Sequence, residues 1–168
     1  MKFCLNTSTI KPVTLLEKIR LVGDAGYDGI ELWLNDVFEF VARGGEVSEV
    51  ERMIQDHGLM VPSVIAMRQW GDFEGWEHSL VLDEARRRFA LGARLGAPFI
   101  VATPPLEKKE TGHLPGRYQE LLEIGREEIA EKEGQFRTKE VQLQLELDER
   151  AAVNAELIDS RKEVEEVS

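Results

Sequence analysis

The segment DAGYDGIELW, from Asp24 to Trp33, leads an amphipathic helix through a glycine and directly into an apolar strand. The same succession recurs in DHGLMVPSVI, from Asp56 to Ile65, and in RLGAPFIVA, from Arg94 to Ala102. Such repeats are typical of a parallel sheet, because parallel neighbours need a crossover connection and a helix usually supplies it. The pattern therefore predicts an α/β fold, either a βα barrel or a doubly wound sheet, with functional groups at the carboxyl ends of the strands.

The length of the chain limits how much of a barrel it can contain. It has 168 residues, of which 42% are hydrophobic and 32% charged, an ordinary composition for one globular domain. A complete eight-stranded barrel needs about 250 residues, so there is room for only four or five βα units. The sequence therefore predicts a partial TIM-type barrel of four to five parallel βα units with a helical C-terminal extension.

Charge and composition argue against several classes of protein. The formal net charge of -11 opposes sequence-independent nucleic-acid binding, which requires a basic surface. The sequence has neither an apolar run long enough for a membrane span nor a signal segment before its first strand. We therefore expect a cytoplasmic protein that binds neither nucleic acid nor membrane. The single cysteine, Cys4, is expected to be a small core residue.

Periodicity and turn residues divide most of the chain into elements. Apolar runs predict strands at 2–7, 29–34, 59–66 and 99–102, and helical spacing predicts helices that begin near Leu15, Val47, Leu80 and Leu114. A loop is predicted before the second helix. A long aromatic loop, at 67–79, follows the third strand, where such loops often shape a ligand pocket.

The character of the sequence changes after Gly134, which is the predicted end of the fourth helix. This change separates a domain at 1–134 from a charged segment at 135–168. Residues 141–147 alternate apolar and polar side chains as a strand does, yet Gln, Leu and Glu favour helices. Two interpretations remain, one long helix or a fifth strand followed by a helix, and we favour the long helix.

Three phrases of the sequence resemble a known superfamily. The phrases AGYDGIELW at 25–33 and LGAPFIV at 95–101, with the opening KFCLNT at 2–7, resemble the xylose isomerase-like TIM-barrel superfamily of sugar and sugar-phosphate isomerases and epimerases. The resemblance covers roughly residues 1–125 and implies the N-terminal half of such a barrel. These phrases encode packing and turns more than reaction chemistry, so they support the fold better than an activity.

The resemblance also implies a divalent metal, which would be manganese, magnesium, cobalt or zinc. In such enzymes carboxylates and a histidine hold the metal, and glutamates move a proton between adjacent carbons of the sugar. Those ligands follow strands five to eight, and only Glu146, in Leu145-Glu146-Leu147, resembles one of them. Glu146 is therefore the candidate catalytic and metal-binding residue. One carboxylate is not a metal site, so the chain by itself is also compatible with having no cofactor.

The candidate substrate-binding residues lie at or near strand ends. They are Asn6, Glu31, Trp33, Trp70 and Thr103. Glu31 shares a strand face with Trp33, so it points either at a substrate or at an internal arginine or amide that satisfies it. Trp33 and Trp70 either offer aromatic faces to a sugar or pack in the core.

These features leave three hypotheses about function. The first is a metal-dependent sugar or sugar-phosphate isomerase or epimerase domain, incomplete here, whose ligand is a small sugar or sugar phosphate. The second is a non-catalytic half-barrel that self-associates, or pairs with a partner chain, through open strand edges or through the C-terminal helix. The third is a truncated or out-of-frame product whose tail does not pack.

Overall fold

The computed structural model describes residues 1–103 and 113–166, with side chains as far as 151 and at 153. Four strands in these ranges form one parallel sheet in the order β1-β2-β3-β4. Their bounds are β1 Cys4–Asn6, β2 Gly29–Trp33, β3 Val64–Met67 and β4 Ile100–Ala102. Because β1 and β4 are the edges of this sheet, the described part of the barrel is open. The predicted α/β fold and partial barrel are confirmed.

Helices occupy most of the remaining described chain. A short 3-10 helix, Thr7–Ile10, follows β1. The α-helices are α1 Leu15–Asp24, α2 Leu34–Ala42, α3 Val47–Asp56, α4 Gly75–Arg94 and α5 Leu114–Glu166. In the ranges that the structure describes, no helix is both long enough and apolar enough to cross a membrane.

The three helix-glycine-strand segments end their helices with the same turn. Gly26, Gly58 and Gly96 have φ values of 78°, 61° and 78°, which only glycine adopts without strain. The next residue in each case donates its N–H to a carbonyl five positions back, as Tyr27 does to Val22 at 3.2 Å. This pairing is the Schellman motif, which closes the last helical turn and directs the chain back toward the sheet.

One face of the sheet lies in the hydrophobic core, whereas the other is open. Ile30, Leu32 and Val64 are fully buried, in one cluster with buried residues of α1, α2 and α3. Alternate residues of a strand point to opposite faces, so the partly exposed Glu31 and Trp33 lie on the second face, which lines the interior of a complete barrel. We call this second face, with Asn6, Glu31, Trp33 and Ile65, the open face.

The prediction that Cys4 is a core residue is wrong. Cys4 is exposed, and it pairs with Gly29 in the register that also pairs Asn6 with Glu31. Residues two apart along a strand share a face, so Cys4 and Asn6 lie on the same side of the sheet. That side is opposite the hydrophobic core, so the exposure of Cys4 agrees with its place on the open face.

The bounds of α2, β3 and α4 differ from the predicted ones. Helix α2 occupies a stretch predicted as a loop and begins directly after Trp33. Strand β3 begins at Val64 rather than near Leu59, because Pro62 has no N–H to donate to a neighbouring strand. Helix α4 begins at Gly75, so the aromatic loop is shorter than predicted.

Helix α5 passes through Gly134, so the prediction that the helix ends there is wrong. A glycine inside a helix costs about 1 kcal/mol relative to alanine, which neighbouring strong helix formers can offset. Residues 141–147 are also helical, and the described chain contains no fifth strand. The chain divides into two compact units, Met1–Glu128 and Ile129–Ser168, and this division falls within α5.

Candidate functional site at the carboxyl ends of the strands

Glu31 is the carboxylate at the centre of the open face. The amide Nδ2 of Asn6, its register partner on β1, donates to Oε2 of Glu31, and Oγ of Ser63 donates to Oε1 at 2.5 Å. Asn6 is itself oriented, because its Oδ1 accepts from the backbone N–H of Ser8 at 2.8 Å and begins the 3-10 helix. The structure therefore brings Asn6 and Glu31 together and provides the internal amide that the sequence left as one alternative.

Trp33 ends β2 on the same face. Its backbone N–H donates to Oγ1 of the buried Thr7 at 3.2 Å. Two cations lie over its ring, with Lys11 Nζ at 5.5 Å and Arg68 Cζ at 5.7 Å from the ring centroid. The indole Nε1 is buried and has no hydrogen-bond partner in the described part of the chain. Trp33 therefore joins the carboxyl ends of β1 and β3 by contacts with residues that follow each strand.

Trp70 and Thr103 meet at the ends of β3 and β4. The indole Nε1 of Trp70 donates to the carbonyl of Thr103 at 2.7 Å, and Oγ1 of Thr103 donates to the carbonyl of Met67 at 3.1 Å. Trp70 is 8% exposed, and its ring centroid lies 6.1 Å from that of Tyr118. The structure thus places Trp70 in the core, where it holds the two strand ends together, and it leaves Trp33 as the partly exposed ring.

Comparison with known proteins gives two relatives by sequence. No protein-family model matches the chain. The 3-dehydroshikimate dehydratase of Pseudomonas aeruginosa is 31% identical over 91 residues, and that of Pseudomonas putida is 28% identical over 102 residues. The alignments cover 52% and 59% of the chain but only 13% and 15% of the two dehydratases. The chain therefore spans a small part of the length of these relatives.

Solved structures give a broader match. A xylose isomerase-like TIM barrel/4-hydroxyphenylpyruvate dioxygenase fusion protein has a TM-score of 0.59 at 23% identity, over 74% of the chain and 20% of the fusion protein. A protein from Sinorhizobium meliloti has a TM-score of 0.57 at 18% identity, over 76% of the chain and 47% of that protein. The 3-keto-D-glucoside 4-epimerase of E. coli, in its apo form, has 0.52 at 22% identity, over 75% of the chain and 49% of the epimerase. These matches show the fold, which is a partial TIM barrel similar to about half of the last two structures.

A cleft of about 820 Å³ lies beside the open face of this half-barrel, between the ends of β3 and β4 and the first half of α4. Its polar lining includes Arg68, Gln69, Arg88 and Thr103, and Trp76 contributes an aromatic side. Gln69 has a φ of 58°, a left-handed conformation that is uncommon for a residue other than glycine. Backbone strain of this kind often occurs at functional sites, so the cleft belongs to the candidate site.

Arg88 is a site residue that the sequence interpretation missed, because the run Arg86-Arg87-Arg88 reads as a solvated helix face. Its guanidinium donates to Oδ1 of Asn35 at 2.7 Å, to the carbonyl of Ala66 at 2.8 Å and to Glu84 at 2.6 Å. One signal was available in the sequence. Arg88 lies three residues after the buried Ala85, on the inward stripe of α4.

The charge of Glu84 follows from these contacts. Partial burial acts to raise the pKa of its carboxyl, but hydrogen bonds from Arg87 and Arg88 outweigh that effect and lower the pKa below its usual value. Glu84 is therefore a carboxylate that neutralises Arg88 and fixes it over the end of β3. Arg88 therefore forms part of the cleft wall, held by Glu84, Asn35 and the Ala66 carbonyl.

The described half-barrel does not fit a divalent metal held by its own side chains. Among the described residues there is no group of three or more His, Cys, Asp or Glu side chains that could hold a metal ion. Glu31 is a single carboxylate, and its two oxygens already accept hydrogen bonds from Asn6 and Ser63.

The strand proposed for Glu146 does not form. Glu146 lies in α5 within the unit Ile129–Ser168, and its side chain is exposed. Helix propensity outweighs the alternating pattern that made residues 141–147 resemble a fifth strand. The resemblance placed Glu146 on a barrel strand, and the structure has a helix there, so its catalytic or metal-binding role stays an untested prediction.

Proposed function

We propose that this half-barrel is the substrate-orienting part of a sugar-modifying enzyme, and that it binds a hydroxylated carbonyl compound of the sugar or sugar-phosphate class. The ligand lies on the open face, at the carboxyl ends of β1, β2 and β3. The names of the similar proteins, two dehydratases and an epimerase, support this class of substrate. The fold supports the location, since ligands of barrel enzymes bind at the carboxyl ends of the strands.

The main support is the geometry of Glu31. Each of its oxygens accepts one hydrogen bond from a neutral donor, Asn6 or Ser63. A carboxylate oxygen has a second lone pair, so both oxygens can accept a further bond from a substrate hydroxyl. Because Glu31 is held on two sides and only partly exposed, it orients that hydroxyl without an ordering cost of its own.

The described residues account for binding and orientation, and we assign no proton transfer to them. We assign no metal ligand to the described residues either. We therefore expect the chain by itself to bind its ligand without converting it. Incubation of the ligand with the chain tests this expectation, because an active enzyme would convert the ligand.

The test is isothermal titration calorimetry of the purified chain with 3-dehydroshikimate and with a 3-keto-D-glucoside. At least one of these probes should bind, and Glu31→Gln should weaken that binding about tenfold or more, because hydrogen bonds to a charged group contribute about 1.5–3 kcal/mol. Glu127→Gln is the matched control, because it removes the same charge from an exposed carboxylate on α5. Equal affinity of Glu31→Gln and wild type, or no binding of either probe, would refute the proposal.

A second candidate function is pairing of the open half-barrel with a second copy. Phe3 and Phe99 directly precede the edge strands β1 and β4 and are 62% and 71% exposed. Exposed aromatic side chains beside unpaired strand edges are typical of surfaces that associate. Sedimentation at micromolar concentration tests this alternative: a dimer that Phe3→Ser with Phe99→Ser dissociates supports it, and a wild-type monomer contradicts it.

A further inference from the structure

Two cations at the open face meet at one aromatic ring. Lys11 follows the 3-10 helix after β1, Trp33 is the last residue of β2, and Arg68 follows the last residue of β3. The charged groups of Lys11 and Arg68 lie 5.5 Å and 5.7 Å from the centroid of the Trp33 ring. Three consecutive strands of the sheet thus contribute to one cluster, which we call the Trp33 cluster (Lys11, Trp33 and Arg68).

The two cations of this cluster have no acidic partner in the part of the chain that the structure describes. Several other cations of the same unit are paired, as Lys18 is with Asp36 at 2.7 Å and Arg94 with Glu51 at 2.8 Å. The chain has a formal net charge of -11, so carboxylates are abundant. Lys11 and Arg68 thus share a ring but form no salt bridge within the described ranges, so both charges are available to an anion.

The ring holds the cations in place without neutralising them. A cation over an indole face gains about 0.5–1 kcal/mol at an exposed site, while its N–H donors stay available to a ligand. Arg68 also precedes Gln69, whose φ of 58° fixes the chain in an uncommon conformation at this point. The Trp33 ring and the conformation of Gln69 thus hold the N–H donors of Lys11 and Arg68 in place for an acceptor on a ligand.

We propose that the Trp33 cluster binds an oxyanion, which is a carboxylate or a phosphate. This anionic group belongs to the ligand whose hydroxyl groups donate hydrogen bonds to Glu31. Arg68 offers paired N–H donors to two oxygens of the anion, and Lys11 adds a point charge. This inference rests on the proposed function and narrows it, because it makes the substrate a hydroxylated acid or a phosphate ester rather than a neutral sugar. The Glu31 carboxylate repels the anionic group, so the ligand is oriented with its hydroxyls at Glu31 and its charge at Trp33.

The test uses the simplest probes, inorganic phosphate and acetate, and follows the indole N–H resonance of Trp33 by NMR. Trp33→Phe assigns that resonance. Titration should shift it saturably with one or both anions, and the two arms show whether phosphate or carboxylate is preferred. Lys11→Gln and Arg68→Gln should each weaken the response at least fivefold, whereas Arg52→Gln, which removes an exposed cation on α3, should leave it unchanged.

The result that would overturn the proposal is a resonance that neither anion shifts, or one that shifts equally in wild type, Lys11→Gln and Arg68→Gln. Glu31→Gln separates this inference from the proposed function. If the cluster binds anions, that variant keeps the response to phosphate or acetate. A wild-type chain that binds these anions but no hydroxylated carbonyl compound would refute the proposed function and leave the anion site standing.

Discussion

The carboxyl end of the sheet and the later part of α5 both contain many polar and charged residues. The two regions differ in the hydrogen bonds that hold these side chains. At the sheet, Ser63 donates to Glu31 across 32 positions of the sequence. In the helix, the described side-chain bonds are local, as between Gln135 and Glu131, four positions apart. The first contact exists only when the fold has formed, whereas the second accompanies any helix. A large number of charged residues therefore does not indicate a site. A charged side chain held by residues far away in the sequence is the better indication.

The largest effect expected from this comparison is the loss of stability when a buried leucine is replaced. Leu32 is fully buried behind the open face, whereas Leu143 on α5 is 59% exposed. Leu32→Ala should lower the free energy of unfolding by about 2–5 kcal/mol, because it leaves a cavity in the core. Leu143→Ala should change it by less than about 0.5 kcal/mol. Urea unfolding followed by tryptophan fluorescence and by far-ultraviolet circular dichroism measures both.

A large loss in Leu143→Ala would break the comparison. It would show that the surface of α5 is covered by another chain under the conditions of the experiment. Repeating the measurement at several protein concentrations distinguishes these cases, since only an oligomer makes unfolding depend on concentration.

The next largest effect concerns the partner of Glu31. Asn6→Asp keeps the oxygen that caps the 3-10 helix but replaces the amide donor to Glu31 with a second carboxylate. The repulsion and the lost bond should destabilise the fold by about 1–3 kcal/mol near neutral pH. The close pair raises a carboxyl pKa in the folded variant, so the loss should shrink as the pH falls and one group binds a proton.

Asn35→Asp is the control for that experiment. It makes the same chemical change, but Asn35 accepts a hydrogen bond from Arg88 at 2.7 Å, so a carboxylate there faces a cation. Its unfolding free energy should stay equal to that of wild type or rise. If both variants lose the same stability with the same pH dependence, the Glu31 contact does not hold the open face together.

A smaller effect distinguishes two glycines. Gly26 ends α1 with a φ of 78°, whereas Gly134 lies inside α5, and a Cβ at either position would meet no atom within 4 Å. Gly26→Ala should cost about 1–2 kcal/mol, because an L-residue is strained in the left-handed region. Gly134→Ala should raise helix stability by about 0.5–1 kcal/mol. Thermal unfolding followed by circular dichroism checks both signs, and destabilisation by Gly134→Ala would show that the helix bends or ends there.

The fold could be predicted from the sequence wherever the controlling interaction is local. The turns at Gly26, Gly58 and Gly96 involve bonds within a few residues, so their sequence phrases predict three helix ends and the strands that follow. The alternation in β2 likewise predicts that Glu31 and Trp33 share a face. The helical state of 141–147 is also local, but there a strand pattern and helix propensity disagree, and propensity decides.

The site could be predicted only in part, because its contacts join distant segments. Asn6 and Glu31 were identified as strand-end residues, but their mutual bond depends on the register of β1 against β2. Ser63 gave no signal at all, since a single serine before a strand is ordinary. Lys11 and Arg68 were not identified, because a cation beside a strand end becomes informative only when the absence of an acidic partner is known.

The smallest effect expected is on the acid side of the stability profile. Burial acts to raise the pKa of the Glu84 carboxyl, but the hydrogen bonds from Arg87 and Arg88 together outweigh it and lower the pKa in the folded chain. The folded chain therefore holds this proton less tightly than the unfolded chain, so the stabilisation is present above the ordinary carboxyl pKa and is lost as the pH falls through the folded value. Because the side chain is 35% exposed, screening limits the effect to less than about 1 kcal/mol.

Glu84→Gln should thus lower stability slightly near neutral pH and converge with wild type in acid, while Glu127→Gln should follow wild type throughout. Parallel curves for Glu84→Gln and Glu127→Gln would mean that Glu84 adds nothing to the other contacts that hold Arg88 over the end of β3.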